Sequence, residues 1–414
     1  MQSEKKIIEK LFNNKILLGI LLLALCGPYM LTRDMEETKH IYEFVTTIAS
    51  WAVIFLYARY GKITIPAVWL FVFLGWSFVT TFFLSGNTLS FYQIFLPVAA
   101  MSLLIELAII HKGYTLLDAV AVFRIYLYAN FLLVILFRQG VSGPERWLLG
   151  YRNMQSWTIL PVLTLLMIRA LWKFGKIDKL TVLDVIIGMI TLVIVKSATS
   201  WVGAFVYLVM LCISFFCYKK KKPMPKIINL FDGLAASILF FVGIVLLKLQ
   251  HVFEPLIVNI LHKDISFTGR TVVWDMAVDF IKTHWFAGAG YLKRAEYVNL
   301  FKNDGYNYPH PHNYVLSLLM QGGVVLLAIV IIGFVIAGIK LWKERCSLIS
   351  NLLLTLLLSL VIMGFTEALS MYMCSLMYPM LILAMHVEKL KNVERRGNDH
   401  NMQDACRENN ETIK

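Results

Sequence analysis

An all-α, polytopic membrane protein is the fold class that this sequence predicts, and three observations predict it. The 414-residue chain is 58% hydrophobic and 16% charged, with a mean hydropathy of +0.68, well outside the balance of an ordinary soluble domain. Its apolar residues gather into runs near the ~20 residues that a helix needs to cross a hydrocarbon core about 30 Å thick. Its basic residues cluster at alternate gaps between those runs, which is the bias that orients helices in a membrane.

Taken in order, the runs predict about twelve transmembrane helices. They lie near 15–31, 41–58, 63–84, 91–110, 115–137, 156–172, 180–196, 200–217, 227–250, 313–338, 347–369 and 371–387. The basic clusters at every second gap begin with Lys5, Lys6, Lys10 and Lys15, then Arg59 and Lys62, then Lys112, then Lys173, Lys176 and Lys179. They continue with Lys219 to Lys222 and Lys226, then Lys340, Lys343 and Arg345, and last Lys389, Lys391, Arg395 and Arg396. This places both termini in the cytoplasm and the protein in the cytoplasmic (inner) membrane. The formal charge of +13 is then mostly topology, and no nucleic-acid partner is expected.

The lysines ahead of "ILLGILLLALCG" resemble a secretory leader, but bulky Leu25 precedes Cys26 where a cleavage site wants a small residue, so an uncleaved first helix is expected. The six cysteines lie in spans or cytoplasmic segments, which implies no disulfide framework. Residues 1–388 form the polytopic membrane domain, and the charged stretch 389–414 reads as a disordered cytoplasmic tail.

Two external segments exceed the short loops found elsewhere. One, 137–157, mixes Gly and Pro with three arginines. The other, 251–312, is rich in aromatics such as Trp274, Trp285 and Tyr297, which argues for order and function. Within it, "TGRTVVWDMAVDFIKTHW" has apolar residues at 272, 273, 276, 277, 280 and 281, predicting a short amphipathic helix at the outer interface with Thr268 as its cap.

The same loop holds His251, His262, His284, His310 and His312 beside several lysines and arginines, on a face that topology should keep poor in cations. An anionic lipid headgroup or lipid-linked phosphate is the ligand such a surface suits, and a solvated loop balanced by its own acids is the alternative. Arg270 sits at the start of the loop helix, where free N–H groups already favour an anion and guanidinium binds phosphate bidentately. Arg152, in "GYRNMQS", falls at the same face; each alone could be an interfacial anchor, while together they describe a pyrophosphate clamp. Lys196, in "VKSATSW", either snorkels or faces a cavity beside the break at Ser197, Thr199 and Ser200. Arg124, Glu106 and Glu367 are weaker cases of the same kind.

His312 is the candidate general base, because imidazole titrates near pH ~6.5 and Pro309, Pro311 and the helix-start residue Asn313 constrain it. His310 supports it or, in a metal reading, joins it as a ligand. No Cys, Asp or Glu lies close in sequence to complete such a set, so no metal and no cofactor are expected. A histidine that merely caps the helix is the third reading.

The order "GYRN", "KSATSW", "TGRTVVW", "GAG" and "HPHNYVLSLLMQGG" resembles the superfamily of O-antigen ligases and Wzy-type polysaccharide polymerases, specifically over about 150–325 and in hydropathy over the whole chain. The resemblance implies a GT-C-like, metal-independent, inverting glycosyltransferase using glycans on undecaprenyl pyrophosphate, with flippase and chain-length regulator proteins as partners. His312 would match the family's loop histidine and Arg270 its pyrophosphate-contacting arginine. Arg152 and Lys196 would assist, with His310, Asn313 and Asn153 supporting. One departure is Trp201 after Ser200, where many members carry an arginine. A polymerase of O-antigen, capsule or exopolysaccharide units is favoured over a ligase that attaches finished glycan. A lipid-linked oligosaccharide flippase is the non-enzymatic rival, although no internal repeat of the transporter kind is visible.

Overall fold

The structure is a computed structural model that describes residues 2–249, 270–303, 306–365, 367 and 374–394. Its long elements are all helices. In chain order they are α1 (Gln2–Asn13), α2 (Lys15–Leu25), α3 (Glu36–Tyr60), α4 (Ile65–Ser85), α5 (Thr88–Ile110) and α6 (Thr115–Leu136). There follow α7 (Arg152–Phe174), α8 (Lys179–Ile194), α9 (Ala198–Lys219) and α10 (Leu230–Leu246). Last come α11 (Arg270–His284), α12 (Arg294–Leu300), α13 (Tyr314–Lys343), α14 (Leu348–Met363), α15 (Cys374–Met385) and α16 (Val387–Glu394).

Seven of these, α3 to α7, α9 and α13, are long and apolar enough to cross a membrane, so the chain is an integral membrane protein. Among the described residues each of the twelve runs contains a helix, and five of those helices are shorter apolar ones. Helices α2, α8, α10, α14 and α15 have at most 17 residues among those described. At ~1.5 Å per residue that is about 25 Å, short of the ~30 Å hydrocarbon core. Apolar composition does not show where the backbone turns. Gly27 and Pro28 follow the end of α2, while a Ser347 cap and Gly364 bound α14.

Polar residues at the starts of helices set their bounds. The side chains of Thr64, Ser197 and Asn313 each accept a hydrogen bond from the backbone N–H three residues on, satisfying donors that a helix start leaves free. Packing sorts the helices by depth. Helices α5, α7 and α14 are buried along most of their length, whereas α3, α4 and α9 present Phe44, Phe55, Phe83 and Phe205 outward, as a lipid-facing layer should.

The described part of the long loop, from residue 270, packs down onto α13. The amphipathic helix is present as α11, and its apolar residues Val273, Trp274 and Ala277 are buried against Leu316 and Met320 of α13. Its expected cap Thr268, with His251 and His262, lies outside the described residues. After α11 the "FAGAG" turn enters a break in α13. Gly323 has φ 64°, ψ −164°, a conformation essentially confined to glycine, and the backbone it frees is hydrogen-bonded by the turn. Ala289 N–H donates to Met320 O (2.7 Å), Gly290 N–H to Gln321 O (2.8 Å) and Val324 N–H to Trp285 O (2.8 Å). A methyl group on Gly323 would sit 2.0 Å from Phe286 O, so the two glycine motifs fit only each other.

The other external segment is pinned by a two-residue ladder, Arg146–Trp147 against Gly150–Tyr151, and by Arg146 on Asp34 (3.0 Å). Two expectations shift. Residues 389–394 of the expected tail are helical within α16, and 395–414 lie outside the described residues. Cys26, Cys212 and Cys217 are free thiols as expected, but Cys346 is disulfide-bonded, which cysteine spacing did not disclose.

Candidate active site

The start of α13 is the centre of the site, and its geometry begins with the backbone. His312 holds φ +48°, the left-handed region that only short polar side chains and glycine adopt readily, and it does so between Pro311 and the Asn313 cap. Trp274 of α11 donates its indole N–H to Pro311 O at 3.0 Å, holding the turn from the other side. Asn313 then donates its amide to Phe365 O (3.0 Å), and Tyr314 N–H donates to Gly364 O (2.9 Å). These bonds draw the segment after α14 alongside the histidines.

That segment delivers Glu367, a carboxylate only 2% exposed. Its Oε1 stands 3.1 Å from His312 Nδ1 and 3.5 Å from His310 Nε2. Its Oε2 accepts from Asn153 Nδ2 at 3.0 Å and lies 3.7 Å from an Arg270 nitrogen. Asn153 is fixed in turn by Ser197, whose hydroxyl donates to Asn153 Oδ1 at 2.8 Å. One buried carboxylate therefore joins the loop helix, the histidine turn, the start of α7 and the α8–α9 break.

The hydrogen bonds also assign the protons. His312 N–H points at His310 Nδ1 (3.3 Å), so that nitrogen accepts and the neutral His310 carries its proton on Nε2, toward Glu367. Burial, then the neighbouring His312, pushes the His310 pKa down to about 3, with Arg270 and Arg294 adding to the effect against the opposing pull of Glu367. His312 gives Nδ1–H to Glu367, which leaves its Nε2 as a lone-pair acceptor.

The remaining sequence candidates are placed differently. Arg152 pairs with Glu145 at 2.7 Å and not with Glu367; its Nε is buried without a partner among the described residues, and its carbonyl accepts from Ser200. Lys196 is exposed, in a left-handed backbone conformation after α8, and makes no side-chain hydrogen bond or ion pair among the described residues. Glu106 pairs with His386 (2.7 Å) and Arg124 with Asp184 (2.7 Å), both away from this cluster. Glu367 was legible only as an ionisable residue near an apolar run, and Arg294 only as one loop cation among several; nothing in their spacing shows that they meet the histidines.

His310, His312 and Glu367 are also the set that could hold a metal ion, with ligand atoms within 4.8 Å of one another. The sequence argument against a metal, that no carboxylate lies nearby, fails in three dimensions. What weighs against a cation is electrostatic: Arg270 occupies the same carboxylate.

Residues 183–331, which include Lys196, Arg270, His310, His312 and Asn313, match the family model Wzy_C, O-antigen ligase. Over that segment the chain is similar to this family. Wzy_C proteins are glycan-transferring enzymes, ligases and polymerases, that act on lipid-linked glycans. Asn153 and Glu367 fall outside the Wzy_C match, yet both complete the cluster built on it. No curated protein matches the chain.

Proposed function

We propose that this protein joins oligosaccharide repeat units carried on undecaprenyl pyrophosphate into a surface polysaccharide, at the external face of the cytoplasmic membrane, as a GT-C-like inverting glycosyltransferase. The observation that carries the reading is the His312–Glu367 pair with Arg270 beside it. His312 Nε2 takes the proton from an acceptor hydroxyl, whose oxygen attacks the anomeric carbon of the donor sugar from the face opposite its pyrophosphate. The bond from that carbon to the pyrophosphate oxygen breaks, and the lipid pyrophosphate leaves with the electron pair. The imidazolium formed on His312 is balanced by the Glu367 carboxylate, and His310, kept neutral, adds no competing charge.

Arg270 stabilises the charge that grows on the leaving pyrophosphate, a role in which cations already in position outside bulk water are most effective. Arg152, whose buried Nε has no partner among the described residues, is the second contact, and Lys196, exposed and likewise unpaired among them, the third. Asn153 and Asn313 hold the carboxylate and the helix start. No cofactor or metal enters this step. Residues 1–388 form the membrane domain, both termini are cytoplasmic, and a flippase and a chain-length regulator supply substrate and set polymer length.

Purified protein given lipid-linked repeat units tests the reading. His312→Ala and Arg270→Ala should abolish or sharply reduce polymer while inserting normally, and wild-type polymer from either variant would overturn it. The ligase reading is favoured by the description of the matching family and differs only in acceptor. A deletion strain separates the two: single repeat units mean a lost polymerase, unattached long chains a lost ligase, and no surface repeats a lost flippase.

A further inference from the structure

A cavity of about 120 Å³ lies between α2, α3, α5 and α7, and part of its polar lining is not consumed by the fold. Hydroxyls elsewhere in the helices bond back to the chain: Thr81 to Ser77 O (2.6 Å), Thr191 to Ile187 O (2.7 Å) and Ser214 to Met210 O (2.7 Å). Thr46, beside the cavity, gives its hydroxyl to Ala24 O (2.8 Å). In contrast, the side chains of Thr47, Gln93 and Thr158 line the cavity and make no hydrogen bond among the described residues. Glu43, also on the wall, pairs with His40 through Oε2 (3.8 Å) while its Oε1 is buried without a partner among the described residues. Glu43 Oε1 is the buried one of these and requires an explanation, because buried polar atoms in folded proteins are nearly always bonded, and the partly exposed Thr47, Gln93 and Thr158 add three more polar groups to the same wall.

We propose that this cavity binds one sugar residue of the lipid-linked glycan, a proposal that rests on the glycosyl-transfer reading above. The lining has the chemistry of sugar recognition: a carboxylate oxygen to accept from a ring hydroxyl, an amide and two hydroxyls that both donate and accept, and the Tyr42 ring as apolar surface. The volume agrees. At roughly 10–15 Å³ of such space per water, the cavity takes on the order of ten heavy atoms, about one hexose.

The position ties the cavity to the site. Met154 lines it, while the preceding residue, Asn153, donates to Glu367. A single helical turn, Arg152–Met154, is thus both a wall of the cavity and a support of the histidine cluster. A sugar seated there would be held one residue along the chain from the group that positions the carboxylate.

The test measures polymer formation by purified protein against the concentration of lipid-linked repeat units taken from a strain lacking this chain. Thr158→Val and Gln93→Leu should each raise the apparent KM about three- to tenfold, the cost of one or two hydrogen bonds, and lower kcat by less. Thr158→Trp, which fills the space, should raise KM further. Each variant is compared with the wild type by its gel-filtration profile, and a misfolded one is replaced by Glu43→Gln. Well-folded variants with wild-type KM overturn the sugar site, as does a KM that changes only with the phospholipid composition of the nanodisc. His312→Ala in the same assay keeps the two readings apart: if it stays active the transfer mechanism fails, whereas an inactive His312→Ala beside unaffected cavity variants defeats only the cavity.

Discussion

His312 Nδ1 lies 3.1 Å from Glu367 Oε1, although the two residues are 55 positions apart in the chain. This contact turns an isolated histidine into an oriented one: the carboxylate fixes which ring nitrogen carries the proton and leaves Nε2 as the lone-pair nitrogen. Glu367→Gln keeps the shape but removes the charge that balances an imidazolium. Turnover should fall roughly 10²–10⁴-fold, the range that a general base contributes, with KM little changed and Glu367→Asp recovering part of the loss. Rates within twofold of wild type in Glu367→Gln would remove the carboxylate from the mechanism.

Arg270 and Arg152 should differ from ordinary surface cations. Arg270→Ala should lower kcat by about 10²–10³-fold, the effect of deleting one preorganised partner of a developing anion. Arg270→Lys should recover little, because an ammonium cannot reproduce the two-pronged guanidinium contact. Arg152→Ala should show a smaller loss in the same direction. Single-turnover rates, which exclude product release, are the measurement that decides.

The depressed His310 pKa makes a stability prediction with a definite sign. The unfolded chain takes a proton on His310 near pH ~6.5, whereas the folded protein holds it neutral down to about 3, so the unfolded state binds more protons between those values. Stability should therefore fall as pH drops through that window. His310→Asn cannot be protonated and keeps an acceptor for His312 N–H, so it should narrow the difference in Tm between pH 7.5 and pH 5. Thermal unfolding of the detergent-solubilised protein gives the comparison; an unchanged gap would contradict the assignment.

Gly323 offers a test of the loop's anchorage alone. At φ 64°, ψ −164°, and with Phe286 O 2.0 Å from an added methyl, Gly323→Ala combines backbone strain with a clash. A cost of about 1–3 kcal/mol from strain alone is expected, together with release of the 285–290 turn. Proteolysis in the loop should quicken while α13 stays inserted, and wild-type protection would show that the break is not specified by glycine.

A metal requirement is excluded or restored by chelation. With His312 already bonded to Glu367 and Arg270 on the same carboxylate, transfer should continue at an unchanged rate after exhaustive treatment with a chelator. A loss reversed by a divalent ion would instead make His310, His312 and Glu367 a ligand set.

Much of the architecture could be read from residue chemistry one segment at a time. The helical runs, the break at Ser197, the helix start at Asn313 and the amphipathic spacing of α11 are local features, each carried by a few neighbouring side chains. Where each helix ends was not local in this sense, because Gly364 and the Ser347 cap bound α14 within an apolar run without changing its hydropathy. Nor was the seat of α11. Its apolar spacing announced an amphipathic helix, but whether that face meets lipid or Leu316 and Met320 depends on where α13 stands.

By itself the sequence determined that this is a helical membrane protein with a cationic, histidine-bearing loop. Transfer of apolar surface, charge asymmetry and helix capping all act within a few residues of chain. Only the tertiary structure decided that Glu367, 214 positions from Asn153 and 55 from His312, would bind both, and that Arg152 would turn to Glu145 while Arg270 joined the histidines. A buried carboxylate needs partners, and which partners it finds is a property of packed helices; no stretch of sequence contains that information locally.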